Sequence, residues 1–148
     1  AVEADAAAVV IVVSERVRKS VTGNSVLIRG DVSRGDDPNC PALAPIAAVQ
    51  ELLAWLRLSP RDIARTEMME AFAVQALACI DGIGLAPDSV NQRGGALAWG
   101  HPIGASGAIL AVRLFHDLQG RAPGDLGLAA IAAAGGLGSA MVLEAVGA

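Results

Sequence analysis

The chain is poor in the residues that usually anchor a core or staple a fold. It has no tyrosine, two phenylalanines and two tryptophans, so aromatics make up 3% of its 148 residues. A core of this composition relies on Ala, Val, Leu and Gly, with close backbone approach in place of large rings. Two cysteines, Cys40 and Cys79, supply neither a disulfide framework nor a metal-ligand spacing. Their scarcity points to a reducing compartment, with the cytoplasm as the expected location. The net charge of −4 carries no electrostatic footprint for nucleic acid or an anionic membrane. The apolar stretch Ala6 to Val13 has no basic segment ahead of it and falls well short of the roughly 20 residues of a membrane span. No repeat of 20–50 residues suggests a solenoid, and no linker divides the chain, so residues 1–148 read as one domain.

What is present is apolar and small. Hydrophobic residues make up 53% of the chain, and 17 are glycine. Ala6 to Val13 is a continuous β-branched run, the pattern of a strand buried on both faces. Ser14 N-caps a short charged helix, and Val26 to Ser33 reads as a second strand before the turn Arg34-Gly-Asp-Asp-Pro38. Pro45 opens a helix whose apolar positions Ile46, Val49, Leu52, Leu53 and Leu56 recur at helical spacing. A turn at Ser59–Asp62, a strand near Ile63–Met68 and a helix near Ala71–Asp81 follow. Asn91 to Gly107 is dense in glycine and reads as a loop feeding a helix that runs to about Leu118. Leu126–Ala134 and Ser139–Val146 are strands joined by the tight turn Gly135-Gly-Leu-Gly138. Strand and helix alternate and the chain closes on strand–turn–strand, which predicts an α/β fold with a mixed sheet.

His101 lies in the middle of the glycine-dense segment, just ahead of a helix. Glycines at 94, 95, 100, 104 and 107 let the backbone come close to another group. A neutral imidazole there can donate a hydrogen bond to a carbonyl or take a proton from a thiol. A lone loop histidine is more often a packed one, but this glycine setting favours a site. Gly104-Ala-Ser-Gly107 at a helix start suggests a phosphate cradle. Neither a Gly-Lys-Ser/Thr triplet nor Gly-x-Gly-x-x-Gly spacing supports a nucleotide.

Three segments together resemble the thiolase family. Asn91-Gln-Arg-Gly-Gly-Ala-Leu-Ala-Trp-Gly-His-Pro-Ile-Gly-Ala-Ser-Gly107 is similar to the family's Asn-x-x-Gly-Gly-Ala-Ile-Ala-x-Gly-His-Pro-x-Gly-Ala-Ser-Gly. Glu67-Met-Met-Glu-Ala-Phe-Ala73 resembles Glu-x-Asn-Glu-Ala-Phe-Ala, and Ala132-Ala-Ala-Gly-Gly-Leu-Gly138 resembles Cys-x-Gly-Gly-Gly-x-Gly. Asp5-Ala-Ala-Ala8 fits the strand that opens the family's C-terminal domain. The resemblance implies the C-terminal half of a five-layer thiolase fold, a mixed five-stranded sheet with helices on both faces. It implies acyl transfer with a coenzyme A thioester as substrate, no cofactor and no metal. The nucleophilic cysteine would come from a thiolase N-terminal half, as a separate chain or another part of the same polypeptide, in a homo- or hetero-oligomer without nucleic acid or membrane partners. His101 would then be the catalytic base and an oxyanion donor. Phe72, Trp99, Gly100 and Gly104 would line the substrate, and the backbone at Ala134 and Gly135 would form a second oxyanion hole.

The sequence departs from that pattern where chemistry is concentrated. Ala132 stands where the family has its acid/base cysteine, and a methyl group cannot move a proton. Met69 replaces an asparagine that positions an oxyanion-hole water, and methionine has no donor. Ala4 and Ala6 replace polar or glycine residues, and Ile109 replaces an arginine. Two readings stay open: acyl transfer without proton removal from carbon, and a non-catalytic subunit that supports assembly or holds a ligand. Cys79 reads as a buried small hydrophobe, His116 as a solvated helix residue, Arg93 as an exposed loop cation or a partner for an anionic substrate group, and Arg29-Gly-Asp31 as a chance triplet.

Overall fold

The computed structural model describes residues 1–20 and 22–147, leaving Val21 and Ala148 outside the description. A short helix α1 (Glu15–Arg18) precedes strand β1 (Val26–Gly35), helix α2 (Ala44–Leu56), strand β2 (Ile63–Met68) and helix α3 (Ala73–Ile83). A one-turn helix α4 (Ala96–Trp99) and the longer α5 (Ser106–Asp117) lead to strands β3 (Leu126–Ala133) and β4 (Leu137–Ala145). The strands form one sheet in the order β1-β4-β3-β2. β3 and β4 are an antiparallel hairpin, β1 runs antiparallel to β4, and β2 is parallel to β3.

Strand alternation divides the side chains into two cores. Leu128, Ala130, Ala140 and Val142 face α2 and α3, meeting Ala48, Val49, Leu52, Cys79 and Ile83. Their neighbours Ala129 and Leu143 turn the other way and meet Leu110 and Leu114 from α5 and Leu118 at its C-cap. A period of two along the strands therefore produces the α/β/α layering. Each fully buried leucine contributes roughly 1.5–3 kcal/mol of hydrophobic stabilisation. Chain reversals are local: α2 ends on Arg57 in the left-handed conformation, and Ser59 and Asp62 form a capping box ahead of β2.

Three expectations need correction. Among the described residues the sheet has four strands rather than five, and Ala6–Val13 does not join it. The run belongs to no strand or helix and is open to solvent, with Val9 and Ile11 each 84% exposed. A β-branched apolar run specifies extended backbone and a demand for burial, not which surface meets that demand. The segment expected to be loop throughout contains α4 and the first turn of α5, for reasons that lie in the site. The helix expected from about Ala71 starts at Ala73, because Phe72 is extended at its N-cap.

Among the described residues no helix is long and apolar enough to cross a membrane, and no cluster of His, Cys, Asp or Glu could hold a metal ion.

Candidate active site

The parallel pair β2 and β3 puts Met69 and Ala132 just beyond the Met68–Ala130 register, at the same carboxyl edge of the sheet. Ligand sites in α/β sheets lie at such edges. Asn91 secures this edge. Its backbone N–H donates to the Thr66 carbonyl at 2.8 Å, and its side chain then acts as a piece of strand. Nδ2 donates to the Met68 carbonyl at 2.9 Å, and Oδ1 accepts from the Met68 N–H at 2.8 Å. Nδ2 also donates to Glu70 Oε1 at 2.6 Å, while Glu70 Oε2 accepts the Leu97 N–H at 3.2 Å in the first turn of α4. An acidic group at a helix start offsets the unpaired N–H groups there.

From α4 the chain turns at Gly100, whose φ of +96° is in the left-handed region. A Cβ on Gly100 would lie 2.7 Å from the Ala4 Cβ and 3.3 Å from the Val2 carbonyl oxygen. Only glycine permits both this turn and this approach. The His101 N–H then donates to the Val2 carbonyl at 2.7 Å, tying the loop to the N-terminal segment.

The His101 ring is half-buried, with Nδ1 2.7 Å from Ser106 Oγ. Ser106, buried at the start of α5, donates its single hydroxyl proton to the Pro102 carbonyl at 3.0 Å. With the hydroxyl proton on the Pro102 carbonyl, the serine oxygen accepts from the Nδ1–H tautomer of His101. In that tautomer Nε2 is a hydrogen-bond acceptor and base. The same contacts commit the hydroxyl that a phosphate cradle at Gly104–Gly107 would need.

Beside the ring is an open depression of about 370 Å³ lined by Glu3, Ala4, Asp5, His101 and Ile103. A second, more enclosed cavity of about 270 Å³ lies under the loop, and Met69, Trp99 and Gly100 are on its wall. Ala4, Ala6 and Ile109 line that same cavity. Four of the five positions expected above to differ from the family pattern thus share one space, and Ala132 does not. Phe72, Gly104, Ala132, Ala134 and Gly135 line neither. Phe72 is 65% exposed ahead of α3. Ala134 and Gly135 are exposed in the turn between β3 and β4, where Gly136 folds the backbone against Asp36, whose N–H donates to the Gly136 carbonyl at 2.7 Å. Met69 is 4% exposed and belongs to the core under α5.

The deepest charge is Glu67, fully buried on β2 and paired with Arg113 of α5 at 2.6 Å. Burial pushes its carboxyl above the ordinary value; Arg113 opposes this and the nearby Asp117 adds to it. Burial likewise raises the Cys79 thiol, which sits against Gln75 as the small buried hydrophobe expected. Arg93 is ion-paired with Asp117, and His116 is exposed. Sequence reasoning did not assign roles to Ser106, Glu70, Glu67 or Arg113. Ser106 was recoverable as a hydroxyl one helical turn past the histidine–proline pair; the Glu67–Arg113 pair, 46 residues apart, had no local signal.

Residues 24–145 match the family model described as "Thiolase, C-terminal domain". The chain is 39% identical over 143 residues to a β-ketoadipyl-CoA thiolase of Pseudomonas aeruginosa, covering 95% of this chain and 35% of that protein. A thiolase from Ascaris suum solved in complex with coenzyme A superposes with a TM-score of 0.82 at 37% identity, covering 90% of this chain and 34% of that one. The peroxisomal 3-ketoacyl-CoA thiolase of Saccharomyces cerevisiae, described as a five-layered structure built from two core domains of identical topology, aligns with a TM-score of 0.76 at 30% identity, covering 81% and 34% of the two chains. The chain thus spans about a third of the length of these relatives. With the α/β/α layering, the histidine loop and the glycine turn in one arrangement, the chain belongs to the thiolase family and carries its C-terminal domain.

Proposed function

We propose that this chain supplies His101 as general base and oxyanion donor to a nucleophilic cysteine on a thiolase N-terminal half, in acyl transfer from a coenzyme A thioester. The observation that supports this reading is the Ser106–His101 hydrogen bond beside an open depression lined by His101; in its Nδ1–H tautomer the ring keeps Nε2 as a base. A base so oriented can take the thiol proton, and its protonated form then donates to a thioester oxygen. The backbone N–H groups at Ala134 and Gly135 would add a second oxyanion hole, since backbone donors survive loss of the neighbouring cysteine. Phe72, Trp99, Gly100 and Gly104 would lie along the pantetheine arm. Ala132 cannot shuttle a proton at carbon, so the acceptor in this reading is a nucleophile that needs no such step.

The N-terminal half, on the same polypeptide or another chain, accounts for the apolar surface left open. Val9 to Val13 and the outer face of α3 at Val74 and Leu77 are exposed, although their composition suits a protein interior. A five-layer relative of two like domains would place such surfaces between its layers, and the complete protein would be a cytoplasmic oligomer without cofactor. The test is His101→Ala in the complete protein: acyl transfer to added nucleophiles should fall by roughly 10²–10⁴. An unchanged rate would remove His101 from the chemistry.

A second reading, a non-catalytic subunit, draws on one observation: Met69 packs into the core under α5 and brings no hydrogen-bond donor to the cavity wall it shares. Ala132→Cys combined with Met69→Asn separates the two. Claisen activity gained by this pair would mark a silenced thiolase; none gained, together with an inert His101→Ala, would favour the structural role.

A further inference from the structure

Arg113 follows Ser106 by seven residues on α5, so the two side chains emerge on one face of the helix beneath the histidine loop. Its guanidinium makes three hydrogen bonds. Nε donates to Glu67 Oε2 at 2.6 Å, and Nη2 donates to Glu67 Oε1 at 3.3 Å and to the Gly94 carbonyl at 2.6 Å. The guanidinium carbon also lies 5.6 Å from the centroid of the Trp99 ring. One turn further along α5, Asp117 holds Arg93, which in turn donates to the Arg113 carbonyl at 3.4 Å. Strand β2, helix α5 and both ends of the 93–99 segment therefore meet at one planar group.

We infer that Arg113 is a positioning residue for His101, strapping the Gly94–Trp99 segment onto α5 so that Gly100 and the imidazole leave it at a fixed angle. The need follows from length. α4 has four residues, far below the dozen or more at which an isolated helix holds its own shape. Its geometry must come from its ends, and the contacts there are Glu70 on the Leu97 N–H and Arg113 on the Gly94 carbonyl and the Trp99 face. Glu67 has a different task. It is fully buried and holds two of the guanidinium donors, which fixes the plane that the third donor uses to reach Gly94. A buried ion pair that only contributed stability would be replaceable by neutral residues. A strap would not be, because the Gly94 carbonyl would still lose its donor.

This inference rests on His101 as the working group proposed above, but its readout is independent of acyl transfer. In the complete protein with ¹⁵N-labelled histidine, Arg113→Met is expected to change the His101 ring signals and to raise amide exchange in residues 95–100 by tenfold or more. Glu67→Gln alone should change both little, because its side-chain oxygen still accepts from Arg113. The double variant Glu67→Gln/Arg113→Met should regain the thermal stability lost in Arg113→Met, since no lone charge stays buried, while the ring signals and exchange remain perturbed. Return of both to wild-type values in the double variant would show an ion pair with no positioning role. So would wild-type signals in Arg113→Met. If Arg113→Met does not fold, the double variant alone decides. Ring signals that respond as expected beside an acyl-transfer rate indifferent to His101 would overturn the proposed chemistry and leave the strap standing.

Discussion

Replacing Ser106 with alanine tests the reasoning about His101 most directly. The serine oxygen is 2.7 Å from Nδ1 and 3.0 Å from the Pro102 carbonyl, and the residue is 4% exposed. The methyl group of Ser106→Ala leaves the Nδ1 proton without that acceptor, while the Pro102 carbonyl keeps the Ala105 and Ser106 N–H groups. A buried polar group left unsatisfied costs about 1–3 kcal/mol. Because the imidazole itself is half-buried, the lower end applies, about 1–1.5 kcal/mol for the ring. A difference of about 1.4 kcal/mol is tenfold in an equilibrium. The preference for a protonated Nδ1 and a bare Nε2 should therefore fall about tenfold. Nitrogen-15 spectra of the ring, recorded where the imidazole is neutral, should show one protonated and one bare nitrogen in the wild type and averaged signals in Ser106→Ala. Acyl transfer should drop by about tenfold, less than on removing the imidazole. Ser106→Thr keeps the hydroxyl and should keep the wild-type pattern. A bare Nδ1 in the wild type, or an unchanged spectrum in Ser106→Ala, would refute the tautomer argument.

Three further outcomes follow from single positions. Thr66 Oγ1 is buried without a hydrogen-bond partner among the described residues, so Thr66→Val, similar in shape, should stabilise the fold by about 1 kcal/mol in denaturant titration; a lower midpoint would mean that the hydroxyl has a partner. Gly100→Ala must adopt φ near +96° with its methyl group against Ala4, and a loss of at least about 2 kcal/mol is expected from the left-handed backbone and the overpacking. A loss below about 0.5 kcal/mol would show that the loop does not lie on the N-terminal segment. Glu15 accepts hydrogen bonds from Arg18 at 2.6 and 2.8 Å, and this contact holds its carboxyl down to about 2. A depressed carboxyl contributes stability above its ordinary value of 4.5 that is lost as pH falls through about 2. Carboxyl NMR should follow that midpoint, and one near 4.5 would show that the pair does not form in solution.

Much of the architecture was legible because its signals are local. β2, α2, α5 and the β3–β4 hairpin follow from runs of apolar residues at strand or helix spacing, broken by proline, glycine and capping side chains. The histidine loop was legible as a candidate site because it gathers so many glycines around one imidazole. The fate of Ala6–Val13 was not. Its composition suits burial, but a period of two or an unbroken apolar run does not name the surface that provides it, and among the described residues no strand does. The helical turn α4 was also hidden, because its ends are held by Glu70 and Arg113 from distant elements.

Sequence by itself therefore determined the α/β class with a mixed sheet and the place of His101 in a glycine-dense segment ahead of a helix, since each depends on residue identity and near neighbours. Only the tertiary structure decided that His101 Nδ1 meets the Ser106 hydroxyl, that Ala4, Ala6, Met69 and Ile109 share one cavity, and that Glu67 and Arg113 meet beneath the loop. Those facts are set by hydrogen bonds and packing between elements far apart along the chain. Their direction depends on how the sheet and α5 cross, which no local pattern encodes.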